Sequence, residues 1–250
     1  MDLYTTYRKM FASLDDERVV WWYCGGVTAP REGVGSVPHV QAETIMVYRT
    51  RDVAADCFTI DWTEVGYFRD ITTGEPLEGW FNPFSQQLEP YPKTFIDGPA
   101  TFTVKRVGDG GIAIALVQSG ARIEGVTLDA SSNAASMGLV QTETKTRTYH
   151  RPDGTLPPLD SPDATQIETV LSIWSPQSAL NDPAVRNAPG AGFYRSGSRS
   201  GSTGSWASTV VAGQMRKARP DERVNPLAWA RLQQRFPHFF RGERIDPAFD

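Results

Sequence analysis

The chain reads as a mainly β protein: a single antiparallel barrel, closed or nearly so, over residues 1–250, with a helix at each end. Short runs rich in Thr, Val, Ile, Tyr and Trp fill its middle, each bounded by turn residues, as expected of successive strands. Helical apolar spacing is confined to the two ends. With 40% hydrophobic and 11% aromatic residues there is enough apolar mass for a substantial core, and closure is the way such a strand series removes its edges.

At the amino end, Leu3, Tyr7, Met10, Phe11 and Leu14 share one helical face over 3–15. Strands are expected at 19–24, 44–50, 57–68, 77–82, 100–107, 112–119, 121–128, 137–149, 166–174 and 206–212. Thr73-Gly74, Asp109-Gly110-Gly111 and Asp153-Gly154 mark turns. Two segments are expected to be loops. The first, 27–38, holds Gly33, Gly35, Pro30 and Pro38. The second, 189–205, is rich in Gly and Ser, with Phe193, Tyr194, Arg195 and Arg199 embedded, and reads as a plain mobile loop or as a lid over a pocket. The last helix opens at Asn225-Pro226, passes through Leu227, Trp229, Ala230, Leu232 and Phe236, and stops at Pro237.

Several function classes are disfavoured by the totals. The chain has 25 basic and 29 acidic residues, a net charge of −4, whereas phosphate binding needs a basic surplus, so no nucleic-acid partner is expected. The longest apolar run, 112–117, is far short of the roughly 20 residues of a membrane helix, so no membrane association is expected. The amino terminus carries charge throughout and has no apolar stretch of the export type. Together with the two isolated cysteines, Cys24 and Cys57, this points to reduced thiols and a cytoplasmic location.

The richest stretch is 57–82. Alternation places Phe58, Ile60, Trp62, Glu64 and Phe68 on one face and Thr59, Asp61, Thr63, Val65, Tyr67 and Arg69 on the other, with Gly66 a candidate bulge. If the polar face lines the lumen, Asp61, Tyr67 and Arg69 supply an acid, a phenol and a cation. Arginine holds an oxyanion while tyrosine or aspartate exchanges a proton. If it faces outward, the same residues are a solvated wall with cross-strand ion pairs. Trp80 and Asn82 follow on the next strand, within reach of the same pocket.

The run 141–150 alternates threonines with Glu143, Lys145, Arg147 and Tyr149 and has no hydrophobic face. Charge commonly guards an edge, so an exposed edge strand is expected. The other reading is a wall whose charged side lines a wet cavity, with Glu143 and Arg147 as site candidates.

His39, His150 and His238 stand at no metal-ligand spacing, and no metal site is expected; His39, after Pro38, is the histidine best placed for a functional role. No phosphate-loop signature occurs, and Gly190-Ala191-Gly192 lacks the third glycine of a dinucleotide fingerprint. In Gly197-Ser198-Arg199-Ser200-Gly201, Arg199 occupies the position where a nucleophile elbow needs serine. No cofactor is expected.

Gly66-Tyr67-Phe68-Arg69-Asp70, Thr73-Gly74-Glu75 and Trp80-Phe81-Asn82-Pro83 together resemble the bacterial family known as domain of unknown function 1838, over most of the chain. The resemblance implies a calycin- or lipocalin-like barrel. It carries a further association with cofactor-independent lyases of lignin-dimer catabolism, which remove formaldehyde or carbon dioxide from a side chain and leave a stilbene. The expected function is therefore a carbon–carbon lyase for a phenolic, multi-ring substrate. In it Arg69 binds the oxyanion, Tyr67 transfers the proton and Asp61 is base or orienter. Trp62, Trp80 or Trp206 would stack on the rings and Asn82 would fix a hydroxyl or methoxyl. His39, Glu143, Arg147, Tyr194 and Arg195 complete the candidate wall. A non-catalytic small-molecule carrier and a cofactor-free isomerase or cyclase are the alternatives. Exposed edges and terminal helices are compatible with a homodimer.

Overall fold

The computed structural model describes residues 2–15, 17–31, 35–82, 87–90, 100–118, 121–147, 164–200, 208–218 and 226–235, with single positions at 158, 161 and 237. Helix α1 (Leu3–Phe11) leads into β1 (Arg18–Arg31), β2 (Gly35–Ala54) and β3 (Cys57–Asp70). A hairpin of β4 (Gly79–Asn82) and β5 (Gln87–Pro90) precedes β6 (Ala100–Val107), β7 (Gly111–Gln118), β8 (Ala121–Ser132), β9 (Ser136–Arg147) and β10 (Thr165–Pro176). The short helix α2 (Gln177–Asn181), β11 (Ala191–Ser200), β12 (Ser208–Ala218) and α3 (Pro226–Arg235) follow.

The protein is an antiparallel β-barrel with an N-terminal and a C-terminal helix. Its closed order is β1-β12-β11-β10-β9-β8-β7-β6-β3-β2, an up-and-down meander interrupted only by the β4–β5 hairpin between β3 and β6. Among the described residues the β7–β8 seam is the thinnest, with the one pair Gln118↔Ala121. Among the described residues no helix is long and apolar enough to cross a membrane.

Four sequence expectations change. Residues 27–38 are strand rather than loop: Thr28↔Pro38, Ala29↔Val37, Pro30↔Ser36 and Arg31↔Gly35 extend the β1–β2 ladder. The register shifts between Val27 and Thr28, leaving His39 as the extra residue of a bulge, where a neighbouring proline is tolerated because its missing N–H breaks no ladder bond. Most of 189–205 is also strand, since β11 pairs with both β10 and β12. Gly192 serves close packing: a Cβ there would stand 2.1 Å from the Ser172 carbonyl oxygen. Finally, β9 lies between β8 and β10, so it is not an edge. Gly66 is no bulge either, being in register with Thr44.

Helix α1 starts at Asp2, whose side chain accepts from the Thr5 N–H, and it closes one end of the barrel. It packs against β6, β7 and β10, and it reaches β1 and β9 through hydrogen bonds. Trp21 Nε1 donates to the Phe11 carbonyl at 2.9 Å, and the Tyr7 hydroxyl donates to Gln141 Oε1 at 2.7 Å. Because α1 touches opposite walls, the strand faces it meets are the lumen. Tyr4 packs edge-on against Phe58 with ring centroids 5.0 Å apart, so the mostly apolar face of β3 looks inward.

A helix end buried in a barrel leaves carbonyls without water, and here two lysines replace it. Buried Lys217 donates from Nζ to the carbonyls of Lys9, at 2.7 Å, and Ala12. Lys9 in turn donates to the carbonyls of Leu180 at 2.9 Å and Asp182 at 2.7 Å, tying α1 to the segment after β10. Lys217→Met removes the donor, strands the Ala12 carbonyl and leaves the Lys9 carbonyl to the Ala188 N–H alone. It is expected to lower stability by about 2 kcal/mol, read as a lower urea midpoint with an unchanged slope.

Candidate functional site

The side chains that face inward follow from register, because directly paired residues share a face. Tyr23 pairs with Thr44 and Met215, Met46 with Glu64, and Ala42 with Phe68. On the opposite wall Tyr194 pairs with Gly213 and Leu171, Thr169 with Glu143 and Ser196, and Leu171 with Gln141. Beyond the α1 plug these strands enclose a cavity of about 180 Å³ lined by Tyr23, Ala42, Thr44, Met46, Glu64, Phe68, Tyr194, Ser196 and Val211. Tyr48, Trp62 and Phe102 form a stacked row further along the lumen, with centroid spacings of 6.0 and 6.1 Å.

Two carboxylates enter this lumen from different walls. Glu143 is buried and accepts from Gln141 Nε2 at 2.7 Å, while Gln141 Oε1 accepts from the Tyr7 hydroxyl, so a hydrogen-bonded chain runs from α1 to Glu143. Burial pushes the Glu143 carboxyl above its ordinary value, opposed by Lys145 and the Gln141 bond. Glu64 stands half-buried on β3 among the cavity residues. The phenols between them are held neutral. Burial, and then the negative charges of Glu64 and Glu143, push the hydroxyls of Tyr48 and Tyr194 upward. The hydroxyl of Tyr23 is raised by burial, with smaller contributions from Tyr194, Cys24 and Glu64. An acid–base set of this kind, two carboxylates in different surroundings beside neutral phenols, is able to hold and pass protons.

The polar face of β3 looks outward, yet part of it is covered. The Tyr67 hydroxyl donates to the Glu43 carboxylate, which is fully buried, and Arg69 Nη1 stands 3.5 Å from the same carboxylate. Arg69 Nη2 lies 4.0 Å from Cys24 Sγ, and its Nε is buried without a hydrogen-bond partner. Helix α3 lies against this side of β3, and Tyr67 borders an outer cavity of about 450 Å³ with Pro76, Glu78, Arg231 and Gln234. Tyr67 and Arg69 are thus brought together, with Glu43 rather than Asp61 as their acid. Asp61 lies six residues back along β3, roughly 20 Å away at strand rise. There it accepts from Thr101 Oγ1 at 2.9 Å and pairs with Arg51 at 3.1 Å.

The other candidates scatter. Trp62, Glu143 and Tyr194 face the lumen. His39 is half-buried at its bulge on β2. Arg195 is exposed and borders an outer groove with Glu168, Gln166 and Thr144. Trp80 and Asn82 belong to β4 and Arg147 ends β9, with their side chains outside what is described; Trp206, His150 and His238 lie outside the described residues altogether. Sequence reasoning passed over Glu64, Tyr23, Gln141 and Glu43. Glu64 had a signal, as the one charge on an otherwise apolar strand face, whereas Tyr23 and Glu43 had none without the pairing register. No protein-family model and no curated protein matches the chain.

Above about pH 4.5, the ordinary Glu143 value, the folded chain keeps a proton that the unfolded chain loses, so stability falls as pH climbs toward the raised folded value. Glu143→Gln keeps an acceptor for Gln141 and removes that loss. Equilibrium unfolding between pH 4.5 and 8 should show the variant gaining on the wild type by up to ~1.4 kcal/mol per pH unit within the window.

Proposed function

We propose that the chain is a cofactor-independent carbon–carbon lyase that binds a phenolic aromatic substrate in the barrel lumen and releases formaldehyde or carbon dioxide to leave a stilbene. The reading takes the chain as similar to the domain of unknown function 1838 family, with a calycin-like barrel working in the cytoplasm. The observation that carries it is the pair Glu64 and Glu143, which face the same lumen as the neutral tyrosines, with Glu64 lining a cavity whose other walls are aromatic and aliphatic side chains and the hydroxyls of Thr44 and Ser196.

The chemistry needs a base for the departing group and donors for a phenolic oxygen. When the phenol gives up its proton and the Cα–O bond breaks, with the departing oxygen taking a proton to leave as a hydroxyl compound or water, what remains is a quinone methide, an electron sink. In the formaldehyde branch Glu64 takes the γ-hydroxyl proton, and the carbon–carbon bond breaks as the carbonyl of formaldehyde forms. The bond's electron pair moves into the new double bond and returns the ring to a phenolate, which neutral tyrosine hydroxyls stabilise. In the carbon dioxide branch the low-dielectric lumen desolvates the carboxylate, and the same sink takes the electrons.

The outer cavity beside Tyr67 supports a second location for the reaction, because Tyr67, which borders it, is joined behind the wall to Glu43 and Arg69, also a phenol, an acid and a cation, and its volume is larger. Turnover of phenolic dimers, followed by stilbene absorbance with formaldehyde and carbon dioxide assays, tests both. Under the lumen reading Glu64→Gln lowers turnover about a hundredfold or more, while Tyr67→Phe and Arg69→Ala stay within a few-fold of wild type. The reverse pattern moves the reaction to the outer cavity. Absence of product from every dimer removes the lyase reading.

A further inference from the structure

Gly197 differs from the glycines that the barrel needs for packing. A Cβ on Gly192 or Gly213 would stand 2.1 and 2.3 Å from a carbonyl oxygen of the adjacent strand, whereas one on Gly197 would meet nothing within 4 Å. Its φ is not positive, so neither packing nor backbone conformation calls for glycine there. Gly197 pairs with Glu168 on one side and Val210 on the other, and the space above it belongs to the outer groove of about 240 Å³ that all three line. Glu168 and Arg195 both wall this groove and both are exposed. Neither has an ion pair or hydrogen bond among the described residues, with the other or with anything else. Charges of opposite sign within reach on a sheet face ordinarily pair. Gln166 and Thr144 add an amide and a hydroxyl to the same groove.

The same outer face continues into exposed aromatic rings. Phe193, two residues before Arg195 on β11, is 41% exposed, and Trp174 on β10, paired with Ala191, is 47% exposed. The Trp174 indole lies across Gly138, where a Cβ would stand 2.9 Å from Nε1 and 3.0 Å from Cδ1, so a glycine lets the ring rest on the sheet. A polar groove and two open rings in line on one wall are a surface built for contact. A ligand of net negative charge would meet Glu168 in the groove, and one of net positive charge would meet Arg195. A hydroxyl suits both, because it donates to a carboxylate and accepts from a guanidinium. Hydroxyls set around apolar C–H faces, which aromatic rings cover, describe a neutral sugar.

We infer that the outer wall of β10 and β11 is a binding face for a neutral oligosaccharide. One sugar unit sits over Gly197 with its hydroxyls on Glu168, Arg195 and Gln166, and the following units run over Phe193 to Trp174. From Glu168 to Trp174 is six residues of strand, roughly 20 Å, which is room for several units. The face lies outside the barrel and is independent of the lumen chemistry.

Calorimetric titration of the full chain tests this with neutral tetrasaccharides of glucose, xylose or mannose, their monosaccharides, tetragalacturonate and glycylglycine. At least one neutral tetrasaccharide should bind one per chain, about tenfold or more tighter than its monosaccharide, and tighter than tetragalacturonate or glycylglycine. Arg195→Ala and Trp174→Ala should each weaken it about tenfold. Gly197→Val should abolish it and leave the thermal midpoint unchanged, since the added side chain fills only the groove and valine suits a strand. Full binding by Gly197→Val, full binding by Trp174→Ala, preference for tetragalacturonate or glycylglycine, or no binding of any neutral tetrasaccharide would each overturn the inference. If Gly197→Val does not fold, the two exposed-residue variants decide.

Discussion

A closed barrel of ten strands is wider than its own inward side chains can fill, since packing of the interior by side chains is the property of barrels of about eight. Everything inside this protein answers to that surplus of width. Helix α1 takes up one end, burying Tyr7, Met10 and Phe11 against walls that cannot reach one another. The space it does not reach persists as the cavity between β1–β3 and β11–β12. The plug and the pocket are two consequences of one geometric constraint.

Filling a barrel with a helix brings polar backbone into a place without water. Lys217, which meets the carbonyls at the end of α1, shows how the cost is met. Burial pushes the Lys217 amine well below its ordinary value, and its donors are directed at carbonyls, so a charge-bearing residue is retained for its hydrogen bonds. The same logic runs through Tyr7, Gln141 and Glu143, where each buried polar group answers another. The Tyr23 hydroxyl and the Trp62 indole N–H depart from the pattern, both buried in the barrel interior without a hydrogen-bond partner.

The outer side of β3 has a separate economy. Glu43 is wholly buried beneath the C-terminal side of the molecule, held by the Tyr67 hydroxyl and the Arg69 guanidinium. The Tyr67 hydroxyl and the Arg69 guanidinium both serve this carboxylate, since a buried charge is tolerated where hydrogen-bond donors and an opposite charge meet it. Cover from α3 and the turn around Pro76 thus turns an ordinary outward strand face into a second enclosed polar cluster, distinct from the lumen.

Periodicity and turn chemistry by themselves determined the strand-rich middle, the helices at both ends and closure into an antiparallel barrel, because these are local properties of side-chain alternation and of residues suited to tight turns. The adjacency of Tyr67 and Arg69 was legible for the same reason, being two residues apart on one strand. What pairs across strands was not. Glu43 meets Tyr67, and Gln141 meets Tyr7 of α1, only through contacts between residues 24 and 134 positions apart. Residues 189–205 look like a loop until β10 and β12 satisfy the backbone of β11 on both sides. Which face of β3 looks inward was equally closed to sequence reading, since both faces alternate cleanly. Only the placement of α1 inside the barrel end gave the apolar face to the lumen, taking Glu64 in and leaving Asp61, Tyr67 and Arg69 outside.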